Sequence, residues 1–187
     1  FDNMTGITRG DGMKYVIAYN AFRNLESIGV DGRADKLVIY TYKNGNGRLK
    51  KIAYANGDYM TATYNSAGQM IAEKWYDSAD TLTAHYRYVY DGQGNIVRSL
   101  DILAGIEYTY TYEGGKITRT AEIGITLSDG NIVSRNLISS VFYTYDEEDR
   151  LTKKCIIPAD GEEQTVYFEN SEEEHTAVKF TAGGRTV

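Results

Sequence analysis

The sequence is poor in the residues that build disulfide, metal and catalytic frameworks. It contains one cysteine, Cys155, and two histidines, His85 and His175, which lie far apart along the chain. One cysteine cannot form an internal disulfide, and two distant histidines lack the spacing typical of zinc sites. No nucleophile elbow, phosphate-binding loop or dinucleotide fingerprint occurs. We therefore expect no metal, no cofactor and no catalytic residues.

The chain also lacks an excess of positive charge and long apolar runs. Its net charge is −6 and its pI about 5.0, which disfavours binding to phosphate backbones. No apolar run approaches the ~20 residues of a membrane helix. We expect no nucleic-acid partner and no membrane span. The first residue is Phe1, which favours a piece of a longer protein, so the missing leader says little about export.

Proline is nearly absent, whereas glycine and tyrosine are abundant. One proline stands beside 19 glycines, and 17 tyrosines outnumber five phenylalanines and one tryptophan. Tyrosine favours strands because its ring packs on a pleated surface while its hydroxyl can stay in water. Many glycines without prolines indicate tight turns with positive φ. The composition predicts an all-β protein.

A short motif recurs along the chain: a tyrosine, a polar residue, a turn and then an aliphatic residue. Typical copies are Tyr90-Asp-Gly-Gln-Gly-Asn-Ile96 and Tyr145-Asp-Glu-Glu-Asp-Arg-Leu151. The copies follow one another about every 22 residues, with a longer gap before the last. Phe168 is a degenerate further candidate. The tyrosines that anchor the six copies are Tyr19, Tyr42, Tyr64, Tyr90, Tyr112 and Tyr145.

The residues around each anchor predict a hairpin. Tyrosines alternate with threonine and other residues before the turn, as in Tyr108–Tyr112, which is strand periodicity. The Asp or Asn after the anchor can form an Asx-turn, and a following glycine supplies positive φ. A second class of two-residue turn lies between copies, at Asp31-Gly32, Asn56-Gly57, Asp129-Gly130 and Asp160-Gly161. Asp129-Gly130 predicts an extra hairpin, which accounts for the longer gap.

These signals predict the fold class. We expect residues 1–187 to form one continuous array of ~22-residue β-hairpins in an antiparallel meander. The array would be a single strongly curved sheet, either barrel-like or an open strip. Most anchoring tyrosines should be buried on one shared face. Cys155 should be a small buried residue of a strand, and not a nucleophile.

A set of cations lies two residues after the aliphatic position of most copies. Its members are Lys51, Arg98, Arg119 and Lys153. A stacked array would form a basic ladder beside the aromatic face. We favour pairing with cross-strand acids, or protection of exposed strands, over a binding stripe.

The copies at Tyr90 and Tyr145 resemble the YD repeat of bacterial RHS-type proteins, whose consensus is roughly Tyr-Asp-x-x-Gly-Arg-Leu. The resemblance covers about Tyr15 to Phe168, although each copy is degenerate. It implies a secreted or cell-surface bacterial protein built from hairpin strips that form shells or extended sheets. In large members these enclose a toxin, whereas this chain is too short for that role. The matching residues are turn and packing residues, so the resemblance implies nothing catalytic.

Departures from the motif are the better functional candidates. An aromatic pair, Trp75 and Tyr76, precedes Asp77 and Asp80. His85 and Tyr86 follow on the next strand of the predicted hairpin, opposite this pair. Flat rings beside polar groups can stack on and read sugar rings; the alternative is that Trp75 fills the local core. The densest carboxylate clusters, Asp146–Asp149 and Glu172–Glu174, are interpreted as solvated turns.

The leading prediction is therefore a non-catalytic secreted or cell-surface structural or binding module. Its candidate partners are glycans or another surface protein. The alternative is a carbohydrate-binding domain that uses aromatic stacking, followed by a glycoside-acting enzyme with a carboxylate pair.

Overall fold

The computed structural model describes residues 3–44, 47–170, 175–182 and 185–186. The described residues form sixteen β-strands, which confirms the all-β prediction. By their internal contacts the residues divide into two compact units, 1–87 and 88–187. In this described part of the chain, no helix is long and apolar enough to cross a membrane.

Unit 1 contains the first seven strands and the beginning of the eighth. The strands are β1 (Gly6–Thr8), β2 (Lys14–Tyr19), β3 (Leu25–Val30), β4 (Lys36–Tyr42), β5 (Leu49–Tyr54), β6 (Tyr59–Tyr64), β7 (Met70–Tyr76) and β8 (Leu82–Tyr90). Strand β8 continues into unit 2.

Unit 2 contains the remaining eight strands. They are β9 (Ile96–Asp101), β10 (Ile106–Glu113), β11 (Lys116–Ser128), β12 (Asn131–Tyr145), β13 (Leu151–Pro158), β14 (Gln164–Asn170), β15 (His175–Ala182) and β16 (Arg185–Thr186). Strands β11 and β12, with 13 and 15 residues, are the longest.

Strand order follows chain order from β1 to β16, so the sheet is an antiparallel meander as predicted. The first and last strands stand at the two ends of this order, and no ladder joins them among the described residues. Of the two predicted alternatives, the open strip is therefore confirmed and the closed barrel is wrong. The meander follows from short turns, because a two- to six-residue turn can join only adjacent antiparallel strands.

In five of the six copies of the motif, a β-bulge lies at the anchor. In the first copy, Ala18 pairs with Ser27 and Tyr19 with Leu25, so that Glu26 is the extra residue. The same register shift occurs at Tyr42, Tyr64, Tyr112, Tyr145 and the degenerate candidate Phe168. A bulge bends its strand and raises the local twist. The motif therefore fixes the register as well as the turn.

The predicted shared face exists within each unit, but burial differs from the prediction. The ladder registers put Tyr19, Tyr42 and Tyr64 on one face of unit 1, and Tyr112 and Tyr145 on one face of unit 2. The expectation that the anchors are buried is wrong, since Tyr42, Tyr64, Tyr90, Tyr112 and Tyr145 are all half-buried. Each anchor ends a strand next to its turn, where the ring edge reaches solvent.

The buried apolar side chains lie on different faces in the two units. In unit 1, Ile17, Met60 and Ala62 are buried on the face that carries the anchors. In unit 2, Leu100 and Ala121 are buried on the opposite face. Alternation of side chains tells which residues share a face, but not which face is covered.

The extra hairpin predicted from Asp129-Gly130 is present. The ladder between β11 and β12 runs from the pair of Arg119 with Phe142 to the pair of Ser128 with Asn131, which lies next to the turn. Both turn residues have positive φ, 50° for Asp129 and 77° for Gly130, as a two-residue hairpin turn of type I′ requires. The insertion thus lengthens two neighbouring strands and leaves the meander order unchanged.

Candidate functional site

The polar residue after each anchor organises the turn. Asp91 Oδ1 accepts hydrogen bonds from the backbone N–H groups of Gln93 and Asn95, both at 2.9 Å. Asn20 and Asp146 accept the two equivalent bonds at 2.8 to 3.1 Å. These are the Asx-turns expected from the sequence. They occupy one oxygen of each side chain, so this oxygen is committed to the fold.

In four of the six copies, the fourth residue after the anchor takes the left-handed conformation. It is glycine in two of them, Gly68 at φ 91° and Gly94 at φ 94°, whereas Arg23 and Asp149 adopt φ of 65° and 69°. Non-glycine residues are uncommon in this region. The turn geometry therefore persists where the consensus glycine has been lost.

The anchoring hydroxyls connect consecutive copies. Tyr42 donates to the carbonyl of Leu25 at 2.6 Å, Tyr112 to that of Ile96 at 3.0 Å and Tyr145 to that of Ile117 at 2.9 Å. Each acceptor is the aliphatic position of the preceding copy. The tyrosine of the motif thus bonds one hairpin to the one before it, which sequence reasoning had not predicted.

A copy of the motif that sequence reasoning missed lies at Tyr76-Asp-Ser-Ala-Asp-Thr-Leu82. Asp77 Oδ1 accepts hydrogen bonds from the N–H groups of Ala79 and Thr81 at 2.9 and 2.8 Å, and a bulge separates the Trp75 and Tyr76 pairs. The signal was available, because the span from Tyr76 to Leu82 equals that from Tyr90 to Ile96. The copy falls outside the ~22-residue period because its turn joins β7 to β8, at the opposite end of β7 from the Tyr64 turn.

The six predicted ligand-binding residues do not converge on one point. Strand alternation puts Trp75 and Tyr86 on one face of the sheet and Tyr76 and His85 on the other. Asp77 caps the turn and Asp80 accepts a hydrogen bond from the Tyr59 hydroxyl at 2.8 Å. Burial lowers the pKa of His85, as do the charges of Lys74 and Arg87.

Both rings of the aromatic pair stack on a tyrosine of the neighbouring hairpin. Trp75 lies 6.3 Å from Tyr54, with 20° between the ring planes. Tyr76 lies 4.7 Å from Tyr59, with 16° between the planes, and the Lys51 ammonium is 3.9 Å from the Tyr59 ring centre. Two aromatic stacks thus cover opposite faces at this end of β7.

A cavity of about 500 Å³ opens beside the Trp75 stack. Its aromatic wall is formed by Tyr54 and Trp75, and its polar wall by Asn56, Asp58 and Asp77. Of the six predicted residues, the cavity brings together Trp75, Tyr76 and Asp77 and leaves out the other three. A flat apolar wall facing carboxylate and amide groups can hold a small polar ring. We name this feature the Trp75 cavity.

The cations of the predicted basic ladder lie on the face opposite the anchors. Pairing with an acid is confirmed for Arg98, whose Nε contacts Glu107. Arg119 lies 5.4 Å from the ring centre of Phe142, and Lys153 5.8 Å from that of Tyr167. Cations over aromatic faces contribute about 0.5–1 kcal/mol at exposed sites.

The remaining titratable candidates have structural surroundings. Cys155 is buried as predicted, and burial raises the pKa of its thiol. In the Asp146–Asp149 cluster, Asp146 and Glu148 both bond to Arg150. Glu172–Glu174 lie outside the described residues. Within the described ranges, no three His, Cys, Asp or Glu side chains are grouped to hold a metal ion.

The turn carboxylates make stability depend on pH. Hydrogen bonds from Thr81 lower the pKa of Asp77, and those from Asn95 lower that of Asp91. Partial burial raises the pKa of Asp146, but its bonds with Arg150 outweigh this and leave it lowered. A lowered pKa in the folded state adds stability above the unfolded value, which is lost as pH falls through the folded value.

We therefore predict that the free energy of unfolding decreases as pH falls from about 5 to 2, and that the triple variant D77N/D91N/D146N shows a smaller decrease. Asparagine keeps the Asx-turn, as Asn20 does, but does not titrate. Urea unfolding followed by circular dichroism across this pH range checks the difference. Parallel profiles for the two proteins would contradict the role of these carboxylates.

The chain is thus an antiparallel β-hairpin meander whose turns repeat one capped motif. No family model and no curated protein matches it. Its fold is similar to part of the Photorhabdus luminescens Tc holotoxin pore with a mutated TccC3, at 20% identity and a TM-score of 0.67. This match covers 92% of the chain and 9% of the toxin chain.

Two further structures of Tc toxin components contain the same fold. The TcdB2-TccC3-Cdc42 structure matches at 21% identity and a TM-score of 0.65, over 89% of this chain and 9% of that chain. The TcdB2-TccC3-TEV structure matches at 19% identity and a TM-score of 0.68, over 94% of this chain and 10% of that chain. The chain therefore spans about a tenth of the length of these relatives, and the likeness shows the fold.

Proposed function

We propose that the chain is a non-catalytic structural and binding module of YD-repeat type, secreted or displayed on a bacterial cell surface. The observation that carries this proposal is the use of the motif residues. The capping oxygens of Asn20, Asp77, Asp91 and Asp146 hold backbone amides of their own turns. Three anchoring hydroxyls hold the preceding copy. A repeat whose polar atoms are bonded within its own turns and to the preceding copy serves to form an extended sheet surface, and this supports a structural or binding role.

The fold likeness to Tc toxin components supports the same class of protein. Those chains are about ten times longer, so a role in enclosing a passenger is not part of the proposal.

The cellular compartment of the protein is tested by labelling intact cells of the source organism with an antibody against the chain. Labelling of intact cells, or recovery from the medium, supports the proposal. Recovery only from the cytoplasmic fraction would contradict it.

A carbohydrate-binding function is the second candidate, and the Trp75 cavity favours it. The cavity combines stacked aromatic rings with Asn56, Asp58 and Asp77. Rings of this kind stack on the apolar face of a sugar, while amide and carboxylate groups accept or donate hydrogen bonds to hydroxyls. The cavity therefore has the chemistry for one neutral sugar residue.

A glycoside-acting enzyme has weaker support. Asp58 and Asp77 both line the Trp75 cavity, but a glycosidase needs a carboxylic acid whose pKa is raised so that it can donate a proton. Hydrogen bonds from Thr81 instead lower the pKa of Asp77. This favours binding over hydrolysis.

Trp75→Ala is predicted to weaken binding to the glycans that the protein recognises on an array by at least tenfold, or about 1.4 kcal/mol. The change removes the stacking surface. Thr83→Arg is the second variant, because Thr83 is exposed and lines the cavity, so that a long side chain blocks entry without removing the stack. Titration of the glycans identified on the array, followed by calorimetry, measures both losses.

Phe22→Ala is the matched control, because Phe22 is 85% exposed and lies outside the Trp75 cavity. It should bind as the unmodified protein does. Equal binding by the unmodified protein and its three variants would contradict a glycan site at the Trp75 cavity. An array without bound glycans would contradict the carbohydrate-binding function and leave the structural module as the proposal.

A further inference from the structure

In two copies of the motif, a cation covers the anchoring tyrosine of the next copy. The Arg48 guanidinium, which precedes the aliphatic Leu49, lies 5.9 Å from the ring centre of Tyr64. The Lys116 ammonium, which precedes Ile117, lies 5.5 Å from the ring centre of Tyr145. Arg48 also donates to the carbonyl of Asn65 at 3.4 Å. The position before the aliphatic residue thus supplies a cation to the next tyrosine face.

Two other copies have asparagine at this position. Asn24 precedes Leu25, and Asn95 precedes Ile96; the next anchors along the chain are Tyr42 and Tyr112. Among the described residues, no cation lies over either ring. The Asn95 side chain instead turns back and donates to Asp91 Oδ2 at 3.0 Å. Asparagine is too short to cover the ring of the next copy.

A cavity occurs at each of these two anchors. The Tyr112 groove, of about 540 Å³, is lined by Asp91, Gln93, Val97, Tyr110 and Tyr112. The Tyr42 groove, of about 930 Å³, is lined at equivalent positions by Asn20, Phe22, Glu26, Tyr40 and Tyr42. The grooves therefore follow from the repeat and from the asparagine that replaces the cation.

The space that Arg48 fills beside Tyr64 is open at the Tyr112 groove. A Cβ added at Gly68 would collide with the Arg48 guanidinium, whereas one added at Gly114 or Gly115 would meet nothing within 4 Å. The groove carries negative charge, since Asp91 lines it. The protein as a whole carries a net charge of −6.

We propose that the Tyr112 groove binds a lysine or arginine side chain from a basic peptide segment of a partner protein. The incoming cation takes the place over the tyrosine ring that Arg48 and Lys116 take within the chain. The Asp91 carboxylate at the rim then attracts it, as Asp149 does Lys116. The Tyr42 groove has both Glu26 and Lys43 in its wall, so the proposal is confined to the Tyr112 groove. This inference rests on the proposed binding role and adds a ligand class to it.

The test is a titration of the full chain, labelled with ¹³C-tyrosine, by a Gly-Arg-Gly-Arg-Gly peptide and by its citrulline counterpart. Citrulline keeps the shape of arginine without its charge. The ring resonances of Tyr110 and Tyr112 should shift with the arginine peptide, and at least tenfold less with the citrulline peptide at equal concentration. Equal shifts with the two peptides, or none with either, would overturn the inference. The glycan array and the cell-labelling result would be unaffected.

The double variant D91N/N95R closes the groove from within. The asparagine introduced by D91N can keep the Asx-turn, as Asn20 does. Without the carboxylate, the new arginine cannot fold back as Arg150 does onto Asp146. The double variant should bind the arginine peptide at least tenfold more weakly than D91N alone. Equal affinity of the two variants, or full loss already in D91N, overturns the assignment of the cation to the Tyr112 ring.

Discussion

Replacing Arg98 and Arg135 together by methionine is expected to lower the free energy of unfolding by about 3–5 kcal/mol. Both arginines contact one carboxylate: Arg98 Nε bonds to Glu107 Oε1, and Arg135 Nε lies 2.6 Å from Oε2. Glu107 is only 1% exposed, whereas the arginine side chains are 35% and 46% exposed. The double variant therefore leaves a desolvated charge without a partner.

Adding Glu107→Leu to the double variant should recover most of this loss. Leucine removes the buried charge, and a well-packed apolar side chain often replaces a buried ion pair at little cost. The control is Arg119→Met, on the same face, where the guanidinium contacts Phe142 and donates to Ser140 Oγ at 2.9 Å. Its loss should be about 1 kcal/mol.

Urea unfolding by circular dichroism and amide exchange of β9 to β12 measure these effects. A double variant within about 1 kcal/mol of the original protein would mean that Glu107 is not a desolvated charge held by its two partners. A triple variant less stable than the double variant would mean that the carboxylate itself stabilises the fold through contacts other than these arginines.

The hairpin meander was predictable because its determinants are local. Alternating tyrosines such as Tyr108, Tyr110 and Tyr112 specify a strand, and the Asx-turn at Asp91 forms within five residues. Short turns then leave adjacent antiparallel pairing as the only arrangement. The extra hairpin at Asp129-Gly130 was predictable for the same reason, since both residues tolerate positive φ.

The Glu107 cluster was not predictable, because its third member comes from the inserted hairpin. Arg135 lies 28 residues from Glu107 in sequence, and a register shift at Thr126/Leu127 separates the turn from the Ile125–Arg135 pair. Period-two alternation also could not predict that the buried side chains of unit 2 lie on the face opposite its tyrosines. Sequence patterns identify faces, whereas burial depends on which residues the folded sheet brings together.

The candidate site was predicted in part. Trp75, Tyr76 and Asp77 line one cavity as a local cluster should, but His85 and Tyr86 do not join them. The reason is that both pair with β7 further from the Tyr76 turn, His85 with Lys74 and Tyr86 with Glu73. Tyr54 was missed because it belongs to the preceding hairpin and reaches Trp75 across β6. A ligand site that spans three strands needs their registers, which no single motif provides.

Met60→Ala is expected to lower the free energy of unfolding of unit 1 by about 3 kcal/mol. Met60 is 4% exposed and pairs across the sheet with Ile52 and Trp75. Truncation would leave a cavity beneath the Trp75–Tyr54 stack, so glycan binding at the Trp75 cavity should weaken even where the protein remains folded. Met60→Leu nearly conserves the volume and should cost less than about 1.5 kcal/mol.

The fluorescence of Trp75, the single tryptophan, reports unfolding of this region directly. Urea titrations of the two variants and the original protein therefore compare packing at one position with one probe. Met60→Ala also distinguishes two roles for Trp75. If the variant is less stable but its folded form binds glycans with unchanged affinity, Trp75 fills the core. If stability and glycan affinity both decrease, the packing of the Trp75–Tyr54 stack on Met60 positions the Trp75 ring for a ligand. A loss below about 1 kcal/mol in Met60→Ala would contradict its place in the core of unit 1.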